Sequence, residues 1–116
     1  MNHADFKIRI SLGPSIAIGP GKADLLNLID ELGSISAAAK QMKMSYRRAW
    51  ELVDVMNRCF DQPLVVSSVG GSHGGGAQLT ELGRQVLSNY KTIIIKSKNA
   101  CSNELNFIQK HLKNSE

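Results

Sequence analysis

Tyr46, Arg47 and Arg48 stand side by side where the sequence predicts the start of a helix, and their side chains suit recognition chemistry. An arginine donates two hydrogen bonds to guanine O6 and N7, a contact that discriminates bases by about 1–3 kcal/mol. A tyrosine there reaches a thymine methyl group or a phosphate. Two cations at a helix N-terminus cost stability, because the positive end of the helix dipole lies there. Their presence therefore favours an anionic partner over a solvated helix start.

The elements that position these residues are two helices and a tight turn between Gly33 and Phe60. The first helix, roughly Ile35 to Met42, is rich in alanine, so a second helix packs closely against it. Either Ser34 or Ser36 caps this helix, and the sequence does not separate the two. Ser45 is predicted to cap the next helix, which presents its first turn to the major groove of DNA. An apolar stripe on its other side is formed by Ala49, Val53, Met56 and Phe60.

Other reactive side chains carry weaker signals. Trp50 lies beside the apolar stripe, which predicts core packing rather than stacking on a base. Cys59 is also predicted to pack, and Cys101 is left with the less favoured options of an intersubunit bridge or redox sensing. Neither cysteine belongs to a CxxC pair or has a histidine at metal-ligand spacing, and no Ser/His/Asp or Cys/His set is evident. We therefore expect no metal, no cofactor and no enzymatic activity.

A glycine tract follows the two helices, flanked by short apolar runs at Leu64 to Ser68 and Ala77 to Leu79. This pattern predicts the hairpin of a winged helix, with backbone N–H groups of the tip near phosphates or the minor groove. A loop without any contact is the alternative. The tract lacks the Lys-Ser/Thr ending of a Walker loop and the strand-to-helix setting of a dinucleotide fingerprint. The candidate DNA-contacting residues of the tract are Gly70, Gly71, Ser72, His73, Gly74 and Gly75.

The remaining segments complete a mainly helical α+β fold, a winged helix-turn-helix with an N-terminal strand or hairpin and a long C-terminal helix. Phe6 to Leu12 alternates apolar and polar residues and predicts a half-buried strand, and Ile16 to Ile18 pairs back with it. Lys22 to Leu32 has the apolar spacing of a helix. Thr80 is predicted to cap the long last helix, whose polar segment at 97–103 breaks or kinks it.

Charge and length set limits on the partners. The 116 residues carry a formal net charge of +4. Residues 33–60 hold five cations against two anions, whereas residues 1–32 hold three against four. This local excess suits a polyanion. The sequence shows no signal-peptide pattern and no apolar run of membrane-spanning length, so we expect a cytoplasmic protein.

The sequence predicts a winged helix-turn-helix domain over residues 1–95 and a helical extension over residues 96–116. The last helix has more apolar residues than a domain of this size covers, which favours its use as a dimer element. The alternative is that it folds back on its own domain.

Four motifs resemble the DNA-binding domain of the molybdate-responsive regulator (ModE) family, and its helix-turn-helix is similar to that of LysR-type regulators. They are G-S-I-S-A-A-A-K at 33–40, M-S-Y-R-R-A-W at 44–50, P-L-V at 63–65 and L-T-x-x-G at 79–83. The glycine-rich wing is a further likeness, and the resemblance covers about residues 20–95. It implies a winged helix that dimerises and binds operator DNA. In that family a separate C-terminal domain binds molybdate.

Two departures from the family pattern bear on function. The sequence ends at Glu116 without an oxyanion-binding part, so direct molybdate binding is not expected. We expect a stand-alone DNA-binding protein, or one that senses through a partner. The wing has Ser72-His73 where the family usually carries a cation, and Val66-Ser67 replaces a charged pair. We therefore expect wing contacts to rely on backbone amides.

The sequence thus predicts a dimeric, sequence-specific regulator that binds double-stranded DNA at a pseudo-palindromic operator, with half-sites about 34–36 Å apart or a multiple of it. Ser34 or Ser36 would hold the DNA backbone. The alternative is a winged helix used as a protein-interaction module. A continuous positive face across the third helix and the wing favours DNA, and a mixed or apolar face favours protein docking.

Overall fold

The structure is a computed structural model, and it describes residues 6–68 and 76–113. Two hairpins and a series of helices make up this part of the chain, and each hairpin is a separate antiparallel sheet. The predicted mainly helical α+β fold with a winged helix-turn-helix is confirmed. In chain order the elements are β1 (Ile10–Leu12), β2 (Ser15–Ile18), α1 (Pro20–Leu32), α2 (Ile35–Gln41), α3 (Tyr46–Cys59), β3 (Val65–Ser68), β4 (Gly76–Leu79), α4 (Glu81–Ala100) and α5 (Ser102–His111).

The core lies where α1, α2 and α3 meet the two wing strands and the first half of α4. Each helix contributes apolar residues that recur at helical spacing, so a single face of each is buried. Ala38 and Ala39 of α2 are among the core residues, which lets α3 approach α2 closely. The largest fully buried side chains are Leu25, Leu26, Ile29, Met56, Leu64 and Leu79.

The helix ends follow local chemistry. Gly33 has a φ of 70° and its N–H donates to the Ile29 carbonyl at 2.8 Å, so it is the C-cap of α1. The helix begins at Pro20, two residues before the predicted start, because the fixed φ of proline suits the first turn. In the turn between α2 and α3, Lys43 has a φ of 59° and its N–H donates to the Lys40 carbonyl at 3.1 Å.

The prediction of a half-buried strand over Phe6 to Leu12 is wrong in extent and burial. Only Ile10–Leu12 forms a strand, and Ile10 and Leu12 are 42% and 57% exposed. The reason is that β1 pairs with β2 in a sheet of two strands, which buries little without a second layer. The preceding segment is held by α4 instead, since the Tyr90 hydroxyl donates to the Ile8 carbonyl at 2.7 Å.

The last helix is interrupted at Cys101, inside the predicted interval 97–103, and this divides α4 from α5. The predicted domain boundary between residues 95 and 96 lies within α4, which continues to Ala100. None of the described residues of α5 is buried.

Thr80 caps α4 as predicted and also joins it to the wing. Its Oγ1 accepts a hydrogen bond from the Gly83 N–H at 2.9 Å and donates to the Pro63 carbonyl at 2.7 Å. A Cβ at Gly83 would overlap the carbonyl oxygen of Leu64. The L-T-x-x-G motif therefore encodes a cap and a close backbone contact between α4 and the start of β3.

Candidate nucleic-acid interface

The first turn of α3 brings together the residues that the sequence singled out. Ser45 caps the helix, and its Oγ accepts a hydrogen bond from the Arg48 N–H at 3.0 Å. Tyr46 is 55% exposed, and Arg47 and Arg48 are exposed beside it. Ala49, the next residue, is fully buried. The helix is thus anchored by its core face while its first turn presents a phenol and two guanidinium groups to the outside.

The start of α2 resolves the alternative that the sequence left open. Ser34 is the cap, because its Oγ accepts a hydrogen bond from the Ala37 N–H at 3.0 Å. Ser36 lies two residues further along the chain and is exposed. Both hydroxyls therefore stand at the N-terminus of the first helix of the pair, where backbone N–H groups and the helix dipole favour an anion.

The outer face of α3 carries acids as well as bases. The Nε of Arg47 lies 3.6 Å from a carboxylate oxygen of Glu51, and Arg58 lies 3.0 Å from Asp54. The Arg47 side chain is 90% exposed and that of Glu51 is 53% exposed. Exposed pairs of this kind contribute little to stability, about 0.3–0.5 kcal/mol each. These pairs make the charge of this face mixed rather than continuously positive.

Trp50 is not a core residue, which corrects the prediction. Its side chain is 49% exposed and lines a groove of about 310 Å³ between α3, the start of α2 and the wing strands. The physical reason is its angular position: at 100° per residue it lies on the flank of the buried stripe, and small residues of α2 do not cover it. The groove is lined by Ser34, Ile35, Ser36, Tyr46, Trp50, Val53, Asp54, Asn57, Val65, Val66, Ser67, Gly76 and Ala77.

Asn57 is a residue of this region that the sequence analysis missed. Its Oδ1 accepts hydrogen bonds from the backbone N–H groups of Leu64 and Val65 at 2.8 Å and 3.2 Å. Its Nδ2 donates to the Val65 carbonyl at 3.0 Å. One amide side chain thus fixes β3 to α3. An asparagine in the last turns of a helix, shortly before a proline and a strand, was the signal available.

The base of the wing is also fixed to the helix pair. The Ala77 N–H of β4 donates to the Gly33 carbonyl at 3.0 Å, in the connection between α1 and α2. A Cβ at Gly76 would lie 2.7 Å from that carbonyl oxygen, so only glycine fits there without a shift. The tip residues predicted to contact DNA lie outside the described residues; they are Gly70, Gly71, Ser72, His73, Gly74 and Gly75.

Within residues 6–68 and 76–113, no group of three or more His, Cys, Asp or Glu side chains is placed to hold a metal ion. No helix of the same ranges is long and apolar enough to cross a membrane. The expectations of no cofactor, no direct molybdate binding and no enzymatic activity remain predictions.

Known proteins that resemble the chain agree with this geometry. This chain is 38% identical over 102 residues to a protein of Azotobacter vinelandii named molybdenum transport protein ModE. The alignment covers 86% of this chain and 38% of the relative. It is 34% identical over 87 residues to the Escherichia coli K12 protein named DNA-binding transcriptional dual regulator ModE, covering 75% and 33%. This chain is a homologue of the ModE regulators. No protein-family model matches it.

A solved structure supports the fold of this ModE-like chain. The crystal structure of a LysR family transcriptional regulator matches it with a TM-score of 0.55 at 21% sequence identity, over 81% of this chain and 30% of that one. At this identity the likeness concerns the fold alone. The ModE-like chain spans about a third of the length of the curated relatives described above.

Proposed function

We propose that this ModE-like chain is a sequence-specific DNA-binding transcriptional regulator whose α3 enters the major groove. The observation that carries the proposal is the first turn of α3, where Tyr46, Arg47 and Arg48 are exposed together on a helix anchored by its opposite face. The E. coli relative, named a DNA-binding regulator, adds support. Binding to an operator implies the cytoplasm as the place of action.

The proposal gives each group a role. Arg47 and Arg48 donate to base edges and phosphates, and Tyr46 contacts a thymine methyl group or a phosphate. Ser34 and Ser36 donate to a phosphate at the N-terminus of α2. The wing follows the adjacent minor groove, where its tip glycines allow close approach of the backbone.

Selection of bound sequences from a random DNA pool tests this proposal directly. We expect a consensus, and we expect Arg47→Ala to weaken binding to it by about 5- to 150-fold, the range that one base contact spans. Lys98→Ala, which removes an exposed cation in the last turn of α4, is the charge-matched control and keeps wild-type affinity. Wild-type affinity of the Arg47→Ala, Arg48→Ala double variant would exclude α3 as the recognition helix.

We further propose a homodimer that pairs through the C-terminal helices. The described residues of α5 are all at least partly exposed, and Ile95, Phe107 and Ile108 are 60%, 65% and 56% exposed. A second copy covers these apolar side chains and creates the two-fold symmetry of a pseudo-palindromic operator. Sedimentation analysis is expected to find a dimer for the wild type and a monomer for Phe107→Asp, Ile108→Asp. A dimeric double variant would place the interface elsewhere.

A protein-docking module is the second candidate, and specific observations favour it. Glu51 and Asp54 lie on the outer face of α3, and the half-exposed Trp50 offers an aromatic anchor in the adjacent groove. The same selection separates the two functions. Failure of the wild-type protein to enrich any DNA sequence, at low as well as moderate salt, would favour docking to a protein.

A further inference from the structure

A second cationic surface lies on the flank of α3 that faces away from the wing. Arg9, Lys22 and Arg48 line one shallow depression of about 230 Å³, to which the N-terminal segment, α1 and α3 contribute one cation each. Arg48, which lines the depression, and Trp50, which lines the groove beside the wing strands, are two positions apart, about 200° around the helix. The depression and that groove therefore lie on opposite flanks of α3. The sequence analysis did not assign Arg9 or Lys22 to any site.

Among the described residues that line this depression, none supplies a counter-charge. Its described lining contains three cations and no carboxylate, the remaining side chains being apolar or absent. Asp24, the next acid along α1, lies in a different pocket beside Tyr90. The first turn of α1 holds no acidic residue and no side-chain cap, so the positive end of its dipole adds to the same sign of charge.

Two of the cations, Arg9 and Lys22, pack partly against the protein. A Cβ at Gly19 would lie 3.2 Å from the Cγ of Arg9, which shows that the Arg9 stem packs across this glycine. Burial lowers the pKa of Lys22 below its ordinary value; Cys59 raises this pKa by a smaller effect, and the positive charge of Arg48 lowers it. Like charges that crowd in a partly buried place destabilise the free protein, and an anion relieves this cost.

We propose that Arg9, Lys22 and Arg48 bind a DNA phosphodiester group on the strand that borders α3 on the side of α1. This inference rests on the proposed DNA-binding function and extends it, because Arg9 and Lys22 lie outside the helix pair and the wing and add to the contact made by Arg48. A phosphodiester fits because the cluster lies beside the first turn of α3, from which Arg48 comes, and offers three donors to one anionic group. The cluster then compensates for the mixed charge on the outer face of α3.

The test measures DNA affinity over a range of salt concentrations for the wild type, Lys22→Gln and Arg9→Gln, Lys22→Gln. Each phosphate contact contributes about 0.9 to the slope of log K against log salt. We expect the slope for the double variant to be smaller by roughly this amount. If both proteins have the same affinity at about 1 M salt, the double variant then binds about eightfold more weakly at about 0.1 M salt. The loss is expected to be equal for the selected operator and for unrelated DNA, because phosphates carry no sequence information. The exposed Lys98→Gln, which removes one charge as Lys22→Gln does, is the matched control for that single variant; its slope is expected to be unchanged once sedimentation shows that it dimerises as the wild type does.

Thermal unfolding separates a binding role from a structural one. Lys22→Gln relieves the crowding of cations, so its Tm in the absence of DNA is expected to equal or exceed that of the wild type. A lower Tm for Lys22→Gln together with unchanged salt slopes would overturn the proposal.

A third arm distinguishes the source of the anion. Backbone amide NMR signals of Gly19, Gly21 and Lys22 are followed during titration with a short duplex and with inorganic phosphate. Shifts with the duplex alone support the proposal, whereas equal shifts with inorganic phosphate, or none with either, overturn it. If the wild type binds no DNA, the proposed function fails together with this inference. If it binds and the variants keep its salt slope, only the inference fails.

Discussion

Asn57 holds α3 to the wing, and replacing it tests how strongly this contact stabilises the fold. The side chain makes three hydrogen bonds to the backbone of Leu64 and Val65, at 2.8, 3.0 and 3.2 Å. Leu64 is fully buried and Val65 is 4% exposed, so water does not readily replace the lost partners. Asn57→Ala therefore leaves two N–H groups and one carbonyl without their side-chain partner.

The magnitude follows from these contacts. A hydrogen bond in a folded protein contributes about 1 kcal/mol net, so the three bonds amount to roughly 3 kcal/mol of unfolding free energy. The entropy of unfolding scales with length, and for a chain of 116 residues this loss lowers the Tm by about 12 °C. Asn57→Asp keeps both acceptor contacts but sets a carboxylate oxygen against the Val65 carbonyl. We expect its stability to lie between those of the wild type and Asn57→Ala.

The assay is thermal and urea unfolding followed by circular dichroism, with DNA affinity measured well below the Tm of each variant. Asn99→Ala, an exposed asparagine in α4, is the matched control and is expected to lie within about 0.5 kcal/mol of the wild type. DNA affinity is expected to fall for Asn57→Ala even where the protein is folded, because β3 loses its anchor. If Asn57→Ala kept the wild-type Tm, the view that this amide fixes the wing to α3 would be refuted.

Two further predictions concern the packing of α4. Gly83→Ala is expected to lower the Tm because the new Cβ overlaps the Leu64 carbonyl, whereas Gly21→Ala, in open space within α1, is expected to leave it unchanged or raise it; equal effects would contradict the close approach. Tyr90→Phe removes the hydrogen bond to Ile8 and is expected to cost about 1 kcal/mol near neutral pH. Burial raises the pKa of Tyr90 above 10.0, so its stabilisation is complete below that pH and is lost as pH rises through the folded-state pKa. If the stability of Tyr90→Phe fell at alkaline pH by as much as that of the wild type, Tyr90 would not be the source of the fall.

The parts of the fold that sequence predicts well are those decided by neighbours along the chain. Ser45 and Thr80 cap their helices because a hydroxyl just before the first helical residue accepts a hydrogen bond from the N–H three residues ahead, which otherwise has no partner within the helix. Gly33 ends α1 because a left-handed residue is needed there. The order of the elements follows from the same local signals.

The parts that escape prediction depend on contacts between distant segments. Periodicity alone puts Trp50 next to the core, but whether another element covers it depends on how α2 and the wing pack. The alternation of Phe6 to Leu12 correctly marks an extended segment, yet its burial depends on a second layer that the fold does not supply. Arg9 and Lys22 lie 39 and 26 positions before Arg48 in the chain, and only the tertiary structure shows that they share one depression.

The distribution of charge around α3 separates affinity from specificity. On its outer face Arg47 is paired with Glu51, so approach to an arbitrary phosphate brings a carboxylate with it and gains little. In the proposed complex, a matching base pair would let Arg47 donate to guanine while Glu51 accepts from a cytosine amino group, so that both charges are satisfied. Under that proposal the face would add little to non-specific binding and would discriminate among sequences. The general attraction to the DNA backbone must then come from the flanks of the helix, where the unpaired cations of the depression lie.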